Sequence, residues 1–149
     1  MGNIISVQSG YAFTPLLTTN RSQSGVAGGQ NDRPNYAATY DAGKVILGDP
    51  NKWFDTSMFA VQPLGHLGNT SRGILTGPGL FNWDFSIVKD TKLAILGEAG
   101  NVEFRAEFFN VLNHANFGLP NSAVTGFGAG RIFRASDGRD IQLALKVNF

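Results

Sequence analysis

The final nine residues, Ile141-Gln142-Leu143-Ala144-Leu145-Lys146-Val147-Asn148-Phe149, alternate without a break between apolar and small or polar side chains. Successive side chains of an extended strand point to opposite faces. Ile141, Leu143, Leu145, Val147 and Phe149 therefore share one side, and Gln142, Ala144, Lys146 and Asn148 the other. A strand of about nine residues with these two faces suits a wall that has hydrocarbon outside and water inside.

Composition agrees with a β reading. Charged residues are 15% of the chain and glycine reaches 19, against about 25% charged residues in ordinary soluble domains. Low charge with abundant Gly and Asn favours strands joined by tight turns. At 149 residues the expectation is a single domain. No apolar run approaches the roughly 18 residues of a membrane helix, because Gly, Asn or a charge interrupts each one. Any membrane reading must then be a β reading. The net charge of +1 gives no electrostatic case for nucleic acid, and the lack of cysteine excludes disulfides and thiolate metal sites. Met1-Gly2-Asn3-Ile4-Ile5-Ser6 lacks the basic start and apolar core of a secretory signal. On a barrel-like sequence this leads to the expectation that the chain begins inside a longer reading frame.

Along the chain, residues 4–13 alternate, with Ile5, Val7, Ser9, Tyr11 and Phe13 on one side, and read as one strand closed by Pro15. Residues 14–79 read as a long irregular loop punctuated at Gly28-Gly29, Arg33-Pro34-Asn35, Gly48-Asp49-Pro50-Asn51 and Gly77-Pro78-Gly79, with a candidate short strand at Lys44 to Leu47. Residues 80–149 read as a four-stranded meander. Phe81, Trp83, Phe85 and Ile87 share a face in the first strand, opposite Asn82, Asp84, Ser86 and Val88, and Val102, Phe104, Ala106 and Phe108 in the second, opposite Glu103, Arg105, Glu107 and Phe109. Asp137-Gly138 between Arg131–Arg134 and the terminal strand predicts a type I′ hairpin with Ile132 opposite Leu143 and Arg134 opposite Ile141. The fold expectation is all-β: antiparallel up-and-down strands forming part of an outer-membrane-type barrel wall, with one long irregular loop. The alternative is a small soluble β-sandwich or closed sheet, because the aromatic stripe of Phe81, Trp83, Phe85, Phe104 and Phe108 suits either lipid or a core.

The run Phe108-Phe109-Asn110-Val111-Leu112-Asn113-His114-Ala115-Asn116-Phe117 resembles a strand end of TonB-dependent outer-membrane receptors. Phe54-Asp55, Phe59, Pro63, Gly68-Asn69, Arg72, Gly77-Pro78-Gly79 and Trp83-Asp84, in that order, resemble the Oar-like branch, whose members carry a carboxypeptidase-regulatory-like domain. Gln8-Ser9-Gly10-Tyr11-Ala12-Phe13-Thr14-Pro15 is similar to a strand of the same branch, with Ala12 where proline is usual, and the last nine residues are similar to its closing strand. The resemblance implies a C-terminal barrel segment of a receptor concerned with ligand uptake. It also implies outer-membrane lipid and the remaining barrel strands as partners, and the barrel-assembly machinery as reader of Phe149. Self-association through edge strands is the other partner expectation. Receptors of this class add a plug and a barrel of about 22 strands, and nothing in this chain corresponds to their energy-coupling motif.

Other chemistry is sparse. Gly-x-Ser-x-Gly and His-Glu-x-x-His are absent. Gly126-Phe127-Gly128-Ala129-Gly130 lacks the rest of any phosphate-loop fingerprint and reads as a turn. No cofactor is expected. The alternative function is a small hydrolase of lipophilic esters or lactones, with His66 or His114 as general base beside Asp49 or Asp55, and Ca²⁺ held by carboxylates such as Asp137 and Asp140.

Overall fold

The computed structural model describes residues 1–25, 32–93, 95 and 100–149. Among these residues ten strands run in chain order: β1 (Gly2–Gln8), β2 (Ala12–Phe13), β3 (Asn35–Tyr36), β4 (Ile46–Asp49), β5 (Lys52–Phe54), β6 (Phe59–Ala60), β7 (Leu75–Thr76), β8 (Leu80–Lys92), β9 (Asn101–Phe109) and β10 (Asp140–Asn148). One short 3₁₀ turn, Thr56–Met58, lies between β5 and β6, capped by the Asp55 carboxylate, which accepts from the Ser57 N–H. The fold is all-β with antiparallel strand pairs, and among the described residues no sheet is closed.

The chain divides into two compact units where a single β segment was expected: residues 1–8, 80–116 and 136–149 form one, and residues 9–79 with 117–135 the other. The first is the four-stranded sheet β1-β8-β9-β10. Each pair is antiparallel and each ladder is continuous, running from Gly2↔Ser86 to Gln8↔Leu80, from Phe85↔Phe108 to Lys92↔Asn101, and from Asp140↔Phe109 to Asn148↔Asn101. The connections 9–79 and 110–139 both leave from the end marked by Gln8, Leu80, Phe109 and Asp140. The 93–100 connection and both chain termini are at the opposite end.

Two expectations about this sheet are corrected. Residues 80–149 supply three of its strands, and the fourth is β1 from the start of the chain. Arg131–Arg134 is not a ladder partner of β10, whose Leu143 and Ile141 face Ala106 and Phe108 instead. Asp137-Gly138 does not make the type I′ turn, since neither residue has a positive φ. Asn113 overrides the local signal by accepting the Arg139 N–H on Oδ1 at 3.0 Å.

The second unit contains the segment expected to be a loop. Its strands pair as β2-β7, β3-β6 and β4-β5, each too short to show a period. Aromatic burial holds it together: Phe54 and Leu75 are fully buried, and Phe13, Leu17, Val45, Phe59 and Val124 complete the core. Phe54 meets Phe13 at 5.6 Å and Phe59 at 6.0 Å between centroids, in tilted and edge-on geometries that suit ring quadrupoles. Residues 4–13 are not one strand, because β1 ends at Gln8 and β2 begins at Ala12, with Ser9, Gly10 and Tyr11 in neither. A Cβ at Gly10 would lie 1.8 Å from the Gly77 carbonyl oxygen, so only glycine allows this approach of the two backbones. The short strand expected at Lys44 to Leu47 is β4, displaced to Ile46–Asp49. The Gly28-Gly29 turn lies outside the described residues.

Candidate functional site

The continuous registers sort the sheet's side chains into two faces. Ile5 is opposite Trp83 and Val7 opposite Phe81. Phe85 is opposite Phe108, and Ile87 opposite Ala106. On the other side of β9, Ile141, Leu143, Leu145 and Val147 meet Phe108, Ala106, Phe104 and Val102. Although Ile4, Val88 and Phe109 lie on the other side, all four strands therefore place most of their apolar residues on one face. This face is not a core: Leu143 and Leu145 are each 67% exposed and Val7 73%. Only Ala106 on it is buried, between flanking rows of larger side chains.

The opposite face carries Ser6, Asn82, Asp84, Ser86, Glu103, Arg105, Glu107, Gln142 and Lys146. Arg105 lies between two carboxylates of its own strand, 3.2 Å from Glu103 and 3.9 Å from Glu107. Exposed pairs like these add at most about 1 kcal/mol to stability. Their consequence is one of placement, since every charge of β9 lies on the face opposite Phe104 and Phe108, a face whose one aromatic from this strand is Phe109 at its end.

At the end where the long connections leave, the polar face closes with a network built on asparagine. Asn110 ends β9 with a φ of 49° and Asn113 follows at 52°, a backbone region that Asn tolerates better than most residues. The buried Asn110 side chain accepts the His114 N–H and donates to the His114 carbonyl, both at 2.9 Å. Asp84 accepts the Asn110 N–H at 2.9 Å and the Asn82 amide at 2.8 Å, tying β8 to the end of β9. Asn116, also buried, accepts the Phe81 N–H at 2.9 Å and lies 3.1 Å from His114 Nδ1. An open cleft of about 510 Å³ lies against this network, lined among others by Asn82, Asp84, Asn110, Asn116, Asp137 and Asp140. It can offer carboxylate and amide oxygens to a polar ligand.

A family model described as an outer membrane beta barrel domain matches residues 1–142. The chain belongs to this outer membrane beta barrel family. In a barrel wall of this kind an apolar face suits lipid and a polar face suits a watery interior. Together with the open sheets, membership supports the barrel-wall expectation for the fold over the small soluble sandwich or closed sheet. No curated protein and no solved structure matches the chain.

Within this outer membrane beta barrel chain, the sequence-predicted site residues fall in separate places. His114 belongs to the asparagine network, with Phe81 edge-on to its ring at 5.8 Å. His66 is exposed in the second unit, its Nδ1 3.1 Å from the Leu64 carbonyl. Asp49 accepts the Asn51 N–H at 2.8 Å in the β4–β5 turn. Asp55 caps the 3₁₀ turn and pairs with Lys52 at 3.0 Å. The Lys52 hydrogen bond, ahead of those from Ser57, holds the Asp55 carboxyl below its ordinary value. Among the described residues no hydrogen bond joins either histidine to a carboxylate. Asp137 and Asp140 line the cleft, but among the described residues no three His, Cys, Asp or Glu side chains converge as a metal site. Sequence reasoning missed Asp84, Asn110 and Asn116 as a linked set, although the spacing Asn110, Asn113, Asn116 after an aromatic strand end was a usable turn signal.

Proposed function

We propose that this chain is the C-terminal wall segment of a TonB-dependent receptor of the Oar-like branch, serving ligand uptake across the outer membrane. The observation that carries the reading is the two-faced sheet. Four strands in continuous register put Ile, Leu, Val, Phe and Trp on one side and the charges of β9 on the other. The ordered resemblance from Gln8 to Phe149 supplies the branch. In this reading lipid and the receptor's remaining strands are the partners of the sheet, Phe149 is offered to the barrel-assembly machinery, and β1 and β10 are joined to neighbouring strands. The long connections leave from one end of the sheet and the short one from the other, as in barrels with short periplasmic turns and long extracellular loops. The second unit would then be built from extracellular connections, and the Asp84 cleft would lie on the polar, inner side of the wall.

The test is the native polypeptide. An antibody raised against residues 136–149, applied to outer-membrane fractions of the source cell, should detect a chain several times longer than 149 residues. Its upstream sequence should contain a plug. Ligand uptake by cells carrying it should stop when the proton gradient is dissipated. Detection of a 149-residue species alone would refute the receptor reading and leave the barrel family intact.

A further inference from the structure

The turn Gly126-Phe127-Gly128 in the second unit has no role in the sheet or in the aromatic core, yet it holds a phenylalanine out in water. Phe127 is 92% exposed, between glycines with φ of 92° and 70° that other residues adopt only with strain. Its neighbours make it part of a patch. A Cβ at Gly128 would lie 2.5 Å from the Phe133 ring, so that ring sits against the turn, and it is itself 58% exposed. The Arg131 guanidinium stands 5.6 Å from the Phe133 centroid. Antiparallel to this segment, Phe117 bridges Ala135 and the Gly118 N–H donates to the Arg134 carbonyl at 2.9 Å, which brings Leu119 alongside. Residues 117–135 contain Arg131 and Arg134 and no acidic residue, and both arginines are exposed. Among the described residues neither forms an ion pair.

Exposed aromatic rings with the Arg131 guanidinium beside them, and a second exposed arginine next in the chain to Phe133, complement an amphiphile that is apolar at one end and phosphate-bearing at the other. Rings enter the boundary between acyl chains and headgroups, and arginine binds phosphate oxygens through paired N–H donors. A protein of the outer membrane has such amphiphiles beside it. We infer that Phe127, Phe133, Arg131 and Arg134 form a docking surface for the phosphate headgroup of a membrane lipid. The surface is independent of the lipid-facing side of the sheet, so its failure would leave the barrel reading untouched.

The absence of cysteine from the sequence makes the test direct. Thr125 is exposed two residues before Phe127, and Thr125→Cys accepts an environment-sensitive fluorophore; a label on the exposed Thr39 serves as control. The full chain is held in non-ionic detergent and titrated with phosphatidylglycerol, with phosphatidylcholine, and with inorganic phosphate. The expected result is a blue shift at position 125, absent at 39, that is stronger with phosphatidylglycerol and is not produced by free phosphate. Each arginine near an anionic surface contributes about fivefold in partition, so Arg131→Gln with Arg134→Gln should weaken the response roughly 30-fold. Phe127→Ser should reduce the blue shift for either lipid. Equal responses to the two lipids, a response unchanged in the arginine variant, or a shift that depends on protein concentration without lipid would each overturn the proposal, the last by pointing to a second copy of the chain.

Discussion

Leu143→Arg is the most direct challenge to the assignment of the two faces. Leu143 lies near the middle of β10, opposite Ala106, and is 67% exposed within the sheet. If that face met water, the substitution would remove little packing and would change stability by less than about 0.5 kcal/mol. If it meets lipid, a strand this long spans the hydrocarbon layer and position 143 lies well inside it. Arginine at the midplane of a barrel wall costs about 2–4 kcal/mol, roughly 30- to 700-fold in the folding equilibrium. Gln142→Arg is the internal control. Gln142 points to the polar face opposite Glu107, so a new cation there acquires a neighbouring carboxylate and should be neutral to slightly stabilising. The assay is reversible urea unfolding in lipid vesicles, followed by tryptophan emission from Trp53 and Trp83, with the protein carried in its complete native barrel. Equal costs for the two substitutions, or a larger cost for Gln142→Arg, would refute the assignment of the faces.

Three further outcomes follow from the geometry. Asn110→Ala should cost about 2–4 kcal/mol in urea unfolding, since it removes two buried side-chain hydrogen bonds and leaves a β-carbon in the left-handed region, whereas His114→Ala should cost about 1 kcal/mol because its backbone bonds remain. Phe54→Ala should cost about 3–5 kcal/mol and raise hydrogen exchange at Trp53 and Asp55, whose N–H groups bond to Gly130 and Val45. The carboxyls of Asp32, held down chiefly by the Ser22 N–H, and of Asp55, held down chiefly by Lys52, both lie below their ordinary value of 3.8 in the folded chain. Their stabilisation is therefore present above that pH and is lost as pH falls through the folded values. Asp32→Asn should abolish its share of this acid dependence in a pH series of thermal melts, and an unchanged acid limb would refute its role.

The sheet was legible where one physical demand acted on every second residue. Two faces of opposite polarity wrote the alternation of Phe81 to Ile87, Val102 to Phe108 and Ile141 to Phe149 into the sequence. The end of β1 was not legible, because the break at Gly10 depends on the backbone at Gly77, a contact no local pattern records. Asp137-Gly138 misled for a related reason: its turn propensity is intrinsic, but Asn113, far back along the chain, takes the Arg139 N–H. The second unit was read as a loop because its strands are too short to show a period and its core assembles Phe13, Phe54, Leu75 and Val124 from distant stretches. As for the strand-end network, asparagine spacing announced a turn. Only the pairing of β8 with β9 brought Asp84 to Asn110.

Four is an even number, and in an antiparallel sheet that fixes the senses of the two borders: β1 and β10 run in opposite directions. A closed wall that alternates throughout can accept this sheet only if the rest of the circumference also contributes an even count of strands. The smallest membrane barrels have about eight, so a wall of that kind would add at least about four strands to these. The strand laid beside β10 must ascend in the sense of β1, and the one beside β1 must descend in the sense of β10. Any partner is thus selected by direction before a single side chain is compared.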